Sequence, residues 1–236
     1  MNWLSTHLPT LTLTESHEGY FLGRGASEES IIQHGVTSWA NLPEPCSDPE
    51  FADRYGEHGE RLEDFAVWPL FSPRGDLIAI EGRPIPAYGL RKAERYLLTE
   101  AEWQPIWFGL TPETMERIWN GCDVWIVEGL FDLFALEWAI PKGDVVLASL
   151  RAKLTDKHVE FLRRFCKGWV KMVYDNDEAG RNGVHDWIDD NGKKRWGALH
   201  RLERVEVKAM SVPYRGKDPG EIWNQGGIAG IRATFS

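Results

Sequence analysis

The stretch Val124-Trp125-Ile126-Val127-Glu128-Gly129 decides the fold, because it joins an apolar strand pattern to a carboxylate at its end. Four consecutive apolar residues are typical of an inner strand of a parallel sheet. In open parallel sheets, chemistry collects at the carboxyl ends of the strands. Glu128 is therefore the first candidate for a functional side chain.

Strand and helix patterns alternate around this stretch, as they do in parallel sheets with helices on both faces. We therefore predict an α/β domain over residues 111–236. Its predicted strands are Val124–Val127, Val145–Leu147, Val170–Tyr174 and Val205–Val212, and its predicted helices are Phe131–Ile140, Thr155–Phe165, Glu178–Ile188, Trp196–Leu202 and Pro219–Asn224.

The first part of the chain has a different pattern and predicts a smaller α+β domain over residues 1–110. Ser27 is expected to cap a helix. The other expected elements are short helices within residues 15–40, a hairpin of Val67–Phe71 with Leu77–Ile80, and a strand or loop at Arg91–Glu100.

A second acidic motif, Asp175-Asn176-Asp177, follows the predicted strand Val170–Tyr174. In extended chain, residues two apart point the same way, so the two carboxylates project together. Their repulsion favours a cation between them, and oxygen-only ligands suit Mg²⁺ or Mn²⁺. A simpler alternative is that Asp177 caps the following helix.

Asp132 and Asp218 also stand at predicted strand-to-helix junctions. Each has a structural alternative: Asp132 complements a helix dipole, and Asp218 caps a helix that Pro219 begins. All of these carboxylates converge on one sheet edge, and gathering like charges does not stabilise a fold. A divalent-metal site for phosphoryl chemistry accounts for the whole set.

Composition leaves this hypothesis open. The chain has 236 residues, a net charge of −9 and three cysteines. The acidic excess lies in residues 1–65, so the remainder has room for a basic face for nucleic acid. The cysteines form no CxxC pair, which argues against a zinc site or a disulfide framework. No signal peptide or membrane span is expected, so we expect a cytoplasmic protein.

The acidic motifs resemble those of TOPRIM domains. Glu128-Gly-Leu-Phe-Asp132 is similar to their EGxxD signature, and Asp175-Asn-Asp177-Glu-Ala-Gly180 to their DxD motif as found in DnaG-type primases. The primase resemblance extends in order over about residues 18–228. The stretches that carry it outside the acidic motifs are Tyr20–Glu29, Phe71–Arg83, Arg95–Thr99, Trp107–Leu110 and Lys217–Pro219.

This resemblance implies a DNA primase: a nucleotidyltransferase that synthesises short RNA primers from NTPs on single-stranded DNA during DNA replication. It implies that Mg²⁺ or Mn²⁺ is bound by Glu128, Asp132, Asp175, Asp177 and Asp218, with Glu128, Asp175 and Asp177 as catalytic residues. It also implies that template or nucleotide is bound by Arg24, Arg83, Arg95 and, less directly, Lys92. Ordinary surface arginines are the alternative for these basic residues.

The chain departs from the family pattern in three ways. Gly220 replaces the second acid of the family's DPD motif, and Glu221 beside it is a candidate substitute. The loop Leu147–Leu154 lacks the family's Gly-Thr. Neither a zinc ribbon nor a helicase-binding domain is recognised, so a helicase or a template-recognition protein is a candidate partner. Such trimmed primases suit phages, plasmids and mobile elements.

Other functions share these motifs. A TOPRIM nuclease would use the same carboxylates to hydrolyse nucleic acid, and a catalytically reduced chain would serve as a nucleic-acid-binding or partner-docking module. Most of the twelve tryptophans fit core positions. Trp103 and Trp107 are the candidates for stacking on single-stranded DNA.

Overall fold

The computed structural model describes residues 12–39, 64–85, 97–98 and 107–235. The chain divides into two compact units, Met1–Glu102 and Trp103–Ser236. Residues 107–110 belong to the second unit, since the N–H of Phe108 donates to the carbonyl of Ala148 at 3.0 Å. The second unit therefore begins before residue 111, where we place the start of the α/β domain.

The first unit contains two short helices and an antiparallel sheet. Ser27 accepts a hydrogen bond from the N–H of Ser30 at 3.0 Å, so the predicted cap is present. The hairpin turn is held by Ser72, whose N–H donates to the carbonyl of Asp76. The described elements are α1 (Glu15–Gly23), α2 (Glu28–Gln33), β1 (Thr37–Ser38), β2 (Phe65–Phe71), β3 (Leu77–Pro84) and β4 (Leu97–Leu98), in the sheet order β1-β2-β3-β4.

The second unit is built on a four-stranded parallel sheet in the order β10-β7-β5-β6. Its strands are β5 (Val124–Val127), β6 (Val145–Ala148), β7 (Val170–Val173) and β10 (Ala209–Ser211); a separate hairpin pairs β8 (Trp187–Ile188) with β9 (Lys194–Arg195). Its helices are α3 (Pro112–Trp119), α4 (Leu130–Glu137), α5 (Asp156–Phe165), α6 (Glu178–Val184), α7 (Ala198–Glu203) and α8 (Pro219–Phe235), the last kinked at Gly227.

Helices cover both faces of this sheet, as predicted. Alternate strand residues point to opposite faces. Val124 and Ile126 belong to the core cluster that includes Phe161 of α5 and Leu202 of α7. On the other face α4 packs against β5 and β6, and α8 packs against α4. The carboxyl ends of the four parallel strands consequently lie at one edge, free of the helices that cover the faces.

Three predicted elements were wrong in extent. The helix predicted over Glu178–Ile188 ends at Val184, because β8 and β9 form a hairpin whose turn is held by Asp189. The last strand is only Ala209–Ser211. The closing helix runs on to Phe235 rather than ending at Asn224, since the chain bends at Gly227 and continues.

In the described part of the chain, none of the helices combines the length and apolar character that crossing a membrane requires.

Candidate active site

Neighbouring strands bring the first two acidic residues to one edge. Strand β5 pairs with β7 in parallel, with Val127 opposite Val173. Glu128 follows the first of these residues directly, and Asp175 follows the second by two positions. The charge of Asp175 acts on Glu128, and that of Asp218 acts on both. The structure thus brings together acids that are up to 90 residues apart in sequence.

Asp132 links two distant segments of this edge. Its Oδ2 accepts a hydrogen bond from the N–H of Gly129 at 3.2 Å, as in a capping box, and its Oδ1 accepts one from the N–H of Gly220 at 3.0 Å. The second bond fixes the start of α8 beside the start of α4. Asp132 therefore does more than complement the helix dipole.

Asp177 and Asp218 both act as helix caps, as the structural alternative proposed. Asp177 Oδ1 accepts from the N–H of Gly180 at 2.8 Å, and Asp218 Oδ1 accepts from the N–H of Glu221 at 2.6 Å. Gly180 is required here, because a Cβ at that position would lie 2.1 Å from the carbonyl oxygen of Asp175. Capping engages one oxygen of each carboxylate in these bonds.

Asn176 anchors the DxD turn, a role that the sequence did not indicate. Its Nδ2 donates to the carbonyls of Tyr214 at 3.0 Å and Gly216 at 2.7 Å, and its N–H donates to the carbonyl of Lys217 at 2.7 Å. The hydroxyl of Tyr214 donates back to the carbonyl of Tyr174 at 2.8 Å. These bonds hold the DxD turn against the segment that carries Asp218. The amide between the two aspartates was the available signal.

Glu128 is the acid that the fold leaves unexplained. Its Oε2 is buried and has no hydrogen-bond partner among the described residues. Burial is the main cause that raises the pKa of Glu128 to about 7, and the charges of Asp175 and Asp177 raise it further. Although Glu128 as a whole is half-buried, a buried carboxylate oxygen without a partner is costly unless a cation or a proton neutralises the group.

Two other carboxyl groups at this edge are also shifted toward the protonated form. Burial raises the pKa of Asp132 to about 7, against the hydrogen bond from Gly220. Burial and the charge of Asp218 raise the pKa of Asp175 to about 6. Within the described ranges, no three acidic, histidine or cysteine side chains already stand close enough to form a metal cage. The donors are nonetheless carboxylate oxygens that repel one another across one edge, which is the chemistry that fits Mg²⁺ or Mn²⁺.

Gly220 lies next to two carboxylates of this cluster. A Cβ built on Gly220 would lie 3.3 Å from Oδ1 of Asp132 and 3.4 Å from Oδ1 of Asp218. An acidic side chain at this position would therefore enter the acidic edge. Glu221, the candidate substitute, accepts a hydrogen bond from the N–H of Lys217 at 2.9 Å through its Oε2.

The loop after β6, whose sequence departs from the family pattern, is tied to the two neighbouring strands. The hydroxyl of Ser149 donates to the carbonyl of Val127 at 3.2 Å and approaches the carbonyl of Arg151 at 2.8 Å. The hydroxyl of Tyr174 lies 2.6 Å from the same serine oxygen. The loop thus starts beside Glu128 and Asp175 without the Gly-Thr pair.

The basic candidates belong to the other unit. Arg24 follows α1 and Arg83 lies in β3; both are half-buried. Lys92 and Arg95 lie outside the described residues, as does Trp103.

Trp107 was a wrong candidate for stacking on DNA, because its exposed fraction is 0%. Its ring packs against those of His158, at 4.4 Å between centroids, and Phe161, at 5.8 Å. It is a core residue of the second unit.

The chain is similar in sequence to known proteins. The Toprim-like family model matches residues 125–223. The DNA primase of Deinococcus radiodurans is 25% identical over 257 residues, which cover 100% of this chain and 41% of that protein. The chain therefore spans less than half the length of the curated relatives it matches.

Solved structures show the same fold. The zinc-binding and RNA polymerase domains of the Aquifex aeolicus primase match with a TM-score of 0.65 at 22% identity, covering 94% of this chain and 56% of that one. A DnaG catalytic domain bound to single-stranded DNA matches with a TM-score of 0.63 at 22% identity, covering 96% and 76%. The predicted fold class is thus confirmed.

Proposed function

We propose that this chain, which carries a Toprim-like domain within the fold of a DnaG catalytic core, synthesises short RNA primers on single-stranded DNA. Its substrates would be NTPs, and the reaction would be transfer of a nucleotidyl group to a 3′-hydroxyl with release of pyrophosphate. The primase relatives and the agreement along almost the whole chain support this reaction over hydrolysis of nucleic acid.

The observation that carries the proposal is the buried, unpartnered Oε2 of Glu128 within a group of like charges. The capping and anchoring bonds account for Asp132, Asp177 and Asp218 in part, but no hydrogen bond from the described residues satisfies this oxygen. Glu128 extends from the end of an inner strand, where the backbone is held on both sides by β6 and β7. Such rigid placement is what a metal ligand or a catalytic carboxylate requires.

We assign the metal-holding role to Glu128, Asp132, Asp175, Asp177 and Asp218, and the metal as Mg²⁺ or Mn²⁺. When bound, divalent cations would lower the pKa of the attacking 3′-hydroxyl and stabilise the charge on the leaving pyrophosphate. The chain's own contribution is to fix the carboxylates. The backbone N–H groups of Gly220, Gly180 and Glu221 orient three of them, and the two strand ends orient the others.

We assign template or nucleotide contact to Arg24, Arg83, Lys92 and Arg95, because cationic side chains are needed to bind phosphates. A helicase or a separate template-recognition protein remains the proposed partner.

Primer synthesis tests the proposal directly. The protein is incubated with mixed-sequence single-stranded DNA, four NTPs and Mg²⁺ or Mn²⁺, and the products are resolved on a denaturing gel. We expect short oligoribonucleotides from the unaltered protein and a loss of at least about 100-fold in Glu128→Gln, in the range expected when a transition-state charge stabiliser is removed. The matched control, Glu203→Gln, neutralises an exposed acid on α7 and should keep full activity. Degradation of the template without NTPs, or full synthesis by Glu128→Gln, would contradict the proposal.

A further inference from the structure

A groove on the second unit lies beside the β8–β9 hairpin, which the sequence did not predict. It encloses about 470 Å³ and is lined by Lys153, Trp187, Asp189, Arg195, Trp196 and Arg201; these six residues define the hairpin groove. None of them belongs to the acidic edge. Packing against the parallel sheet also does not account for the grouping of two indoles with three cationic side chains in this groove.

The indoles of the hairpin groove face cationic side chains, and the Trp196 ring also stacks on the ring of His200 at 4.9 Å between centroids. Nζ of Lys153 lies 4.4 Å from the centroid of the Trp187 ring. The guanidinium of Arg204 lies 4.6 Å from the ring centroid of Trp196, whose exposed fraction is 49%. Trp187 is half-buried, whereas Ile188 beside it on the hairpin is exposed; exposed apolar side chains close to one another on a surface indicate a contact with another molecule. Aromatic rings beside cations are the pattern with which proteins hold unpaired bases and their phosphates.

The charge of the hairpin groove is opposite to that of the whole chain. Three of its six lining residues are cationic and one is acidic, in a chain whose net charge is −9. Asp189 lies 2.7 Å from Arg195 and balances it. Arg201 is paired with Asp156, but that carboxylate is fully exposed, and Lys153 faces an indole instead of an acid. Concave positive surface attracts a polyanion, even on an acidic protein.

The chain connects the hairpin groove to the acidic edge by two short paths. Lys153 lies on the loop that follows β6, and this loop starts at the carboxyl edge of the sheet. Helix α6 begins directly after Asp177 and ends at Val184, three residues before the hairpin. The two paths also touch, since a Cβ on Gly183 would lie 2.0 Å from the carbonyl oxygen of Ala152.

We propose that the hairpin groove binds single-stranded nucleic acid, and specifically the DNA template as it leaves or approaches the acidic edge. This assignment deepens the proposed function and rests on it for the identity of the strand. The bases would stack on Trp196 and Trp187, and Lys153 and Arg201 would contact phosphates. Such contacts are tolerant of sequence, because every base has a π-face.

Binding of a fluorescein-labelled dT₁₆ oligonucleotide tests this proposal without any catalytic step. The Kd is measured by fluorescence anisotropy from 25 to 200 mM salt, with Mg²⁺ and without NTPs, for the unaltered protein and for Lys153→Ala/Trp196→Ala. The matched control is Lys167→Ala/Trp119→Ala. It removes another lysine over a half-exposed tryptophan, at 4.4 Å, outside the hairpin groove. An rU₁₆ oligonucleotide distinguishes template DNA from RNA product.

The groove variant is expected to bind dT₁₆ about 5- to 50-fold more weakly than the unaltered protein, whereas the control variant binds it normally. The slope of log Kd against log salt concentration should fall by about 0.7 for the lost lysine contact, an effect that a merely structural change would not produce. Lys153→Arg/Trp196→Phe should restore most of the affinity. Thermal unfolding followed by circular dichroism checks that each variant folds.

Four results would overturn the assignment: no measurable dT₁₆ binding by the unaltered protein, unchanged dT₁₆ affinity in the groove variant, equal losses in the groove and control variants, or tighter binding of rU₁₆ than of dT₁₆. The outcome is independent of the proposed reaction. If the chain binds dT₁₆ through the hairpin groove but makes no primer, the groove assignment stands and the proposed reaction is wrong. If the chain makes primers but the groove variant binds dT₁₆ with unchanged affinity, the proposed reaction stands and the groove assignment is wrong.

Discussion

The carboxylate of Asp132 accepts a hydrogen bond from the N–H of Gly220 at 3.0 Å, although 88 residues separate the two in sequence. This bond makes the backbone of Gly220 part of the acidic edge, at the position where the resemblance described above implies an acid. A change at either residue should therefore alter both the stability of the fold and the charge of the acidic edge.

With Mg²⁺ at pH 8, where the ion compensates the charge of Asp132, substituting Asp132 by Asn should lower the free energy of unfolding by about 1–3 kcal/mol. The amide oxygen can accept from only one of the two N–H groups with the geometry of a carboxylate, so the other N–H loses its partner. Urea unfolding measures the effect. Asp156→Asn, on a fully exposed acid, is the control and should change the stability by less than about 0.5 kcal/mol.

Substituting Gly220 by Asp should add a ligand to the acidic edge, because the Cβ would lie 3.3 Å from Oδ1 of Asp132. We expect the metal-free protein to become less stable and the stabilisation by Mg²⁺ to increase. The Tm of the metal-free protein measures the first effect, and the change in Tm on adding Mg²⁺ measures the second. Gly226→Asp, at a position on α8 with nothing within 4 Å, is the control. An identical Mg²⁺ response in the two variants would contradict the placement.

The stability of the metal-free protein should fall as the pH rises from about 4 to 8. The folded-state pKa values of Glu128 and Asp132 are raised to about 7 and that of Asp175 to about 6, chiefly by burial. In the unfolded chain these groups have ordinary pKa values of about 4. The folded state thus binds more protons in this window, and linkage makes its stability decrease with pH.

Thermal unfolding at pH 5 and pH 8 with EDTA measures this dependence. Added Mg²⁺ should raise the Tm more at pH 8 than at pH 5, because the ion compensates for charges that protons neutralise at the lower pH. Glu128→Gln should flatten the dependence. A metal-free protein that gains stability from pH 5 to pH 8 would show that the three pKa values are not raised.

Trp107→Ala should destabilise the protein by about 3–5 kcal/mol, since the indole is fully buried against His158 and Phe161. Trp107→Phe should cost less and leave the affinity for dT₁₆ unchanged. Weaker binding of dT₁₆ by a stably folded Trp107→Phe protein would show that Trp107 does contribute to binding single-stranded DNA.

The sequence predicted the sheet well because its signals are local. Strands β5, β6 and β7 each have an apolar run that a carboxylate or a turn ends, and Ser27 caps the helix that it was expected to cap. The convergence of Glu128 and Asp175 followed from a parallel sheet alone. Where a local pattern determines an element, its place in the sheet could be predicted.

The remaining features depend on contacts between distant segments, which no local pattern records. The bond from Gly220 to Asp132 and the anchoring of Asn176 join residues more than 35 positions apart. The β8–β9 hairpin was missed because a two-residue strand has too few residues to show alternation. Trp107 was placed at a surface because its neighbours in sequence do not reveal the ring of Phe161 that covers it.

Incorporation of labelled NTPs on homopolymer templates tests whether this chain synthesises RNA under the direction of a DNA template. The protein is given dT₄₀ or dC₄₀ with Mg²⁺ or Mn²⁺ and each labelled NTP in turn, beside the Asp175→Asn variant. We expect ATP alone to be incorporated on dT₄₀ and GTP alone on dC₄₀, and we expect Asp175→Asn to abolish both products. Incorporation that ignores the template, or persists undiminished in Asp175→Asn, would contradict the proposed function.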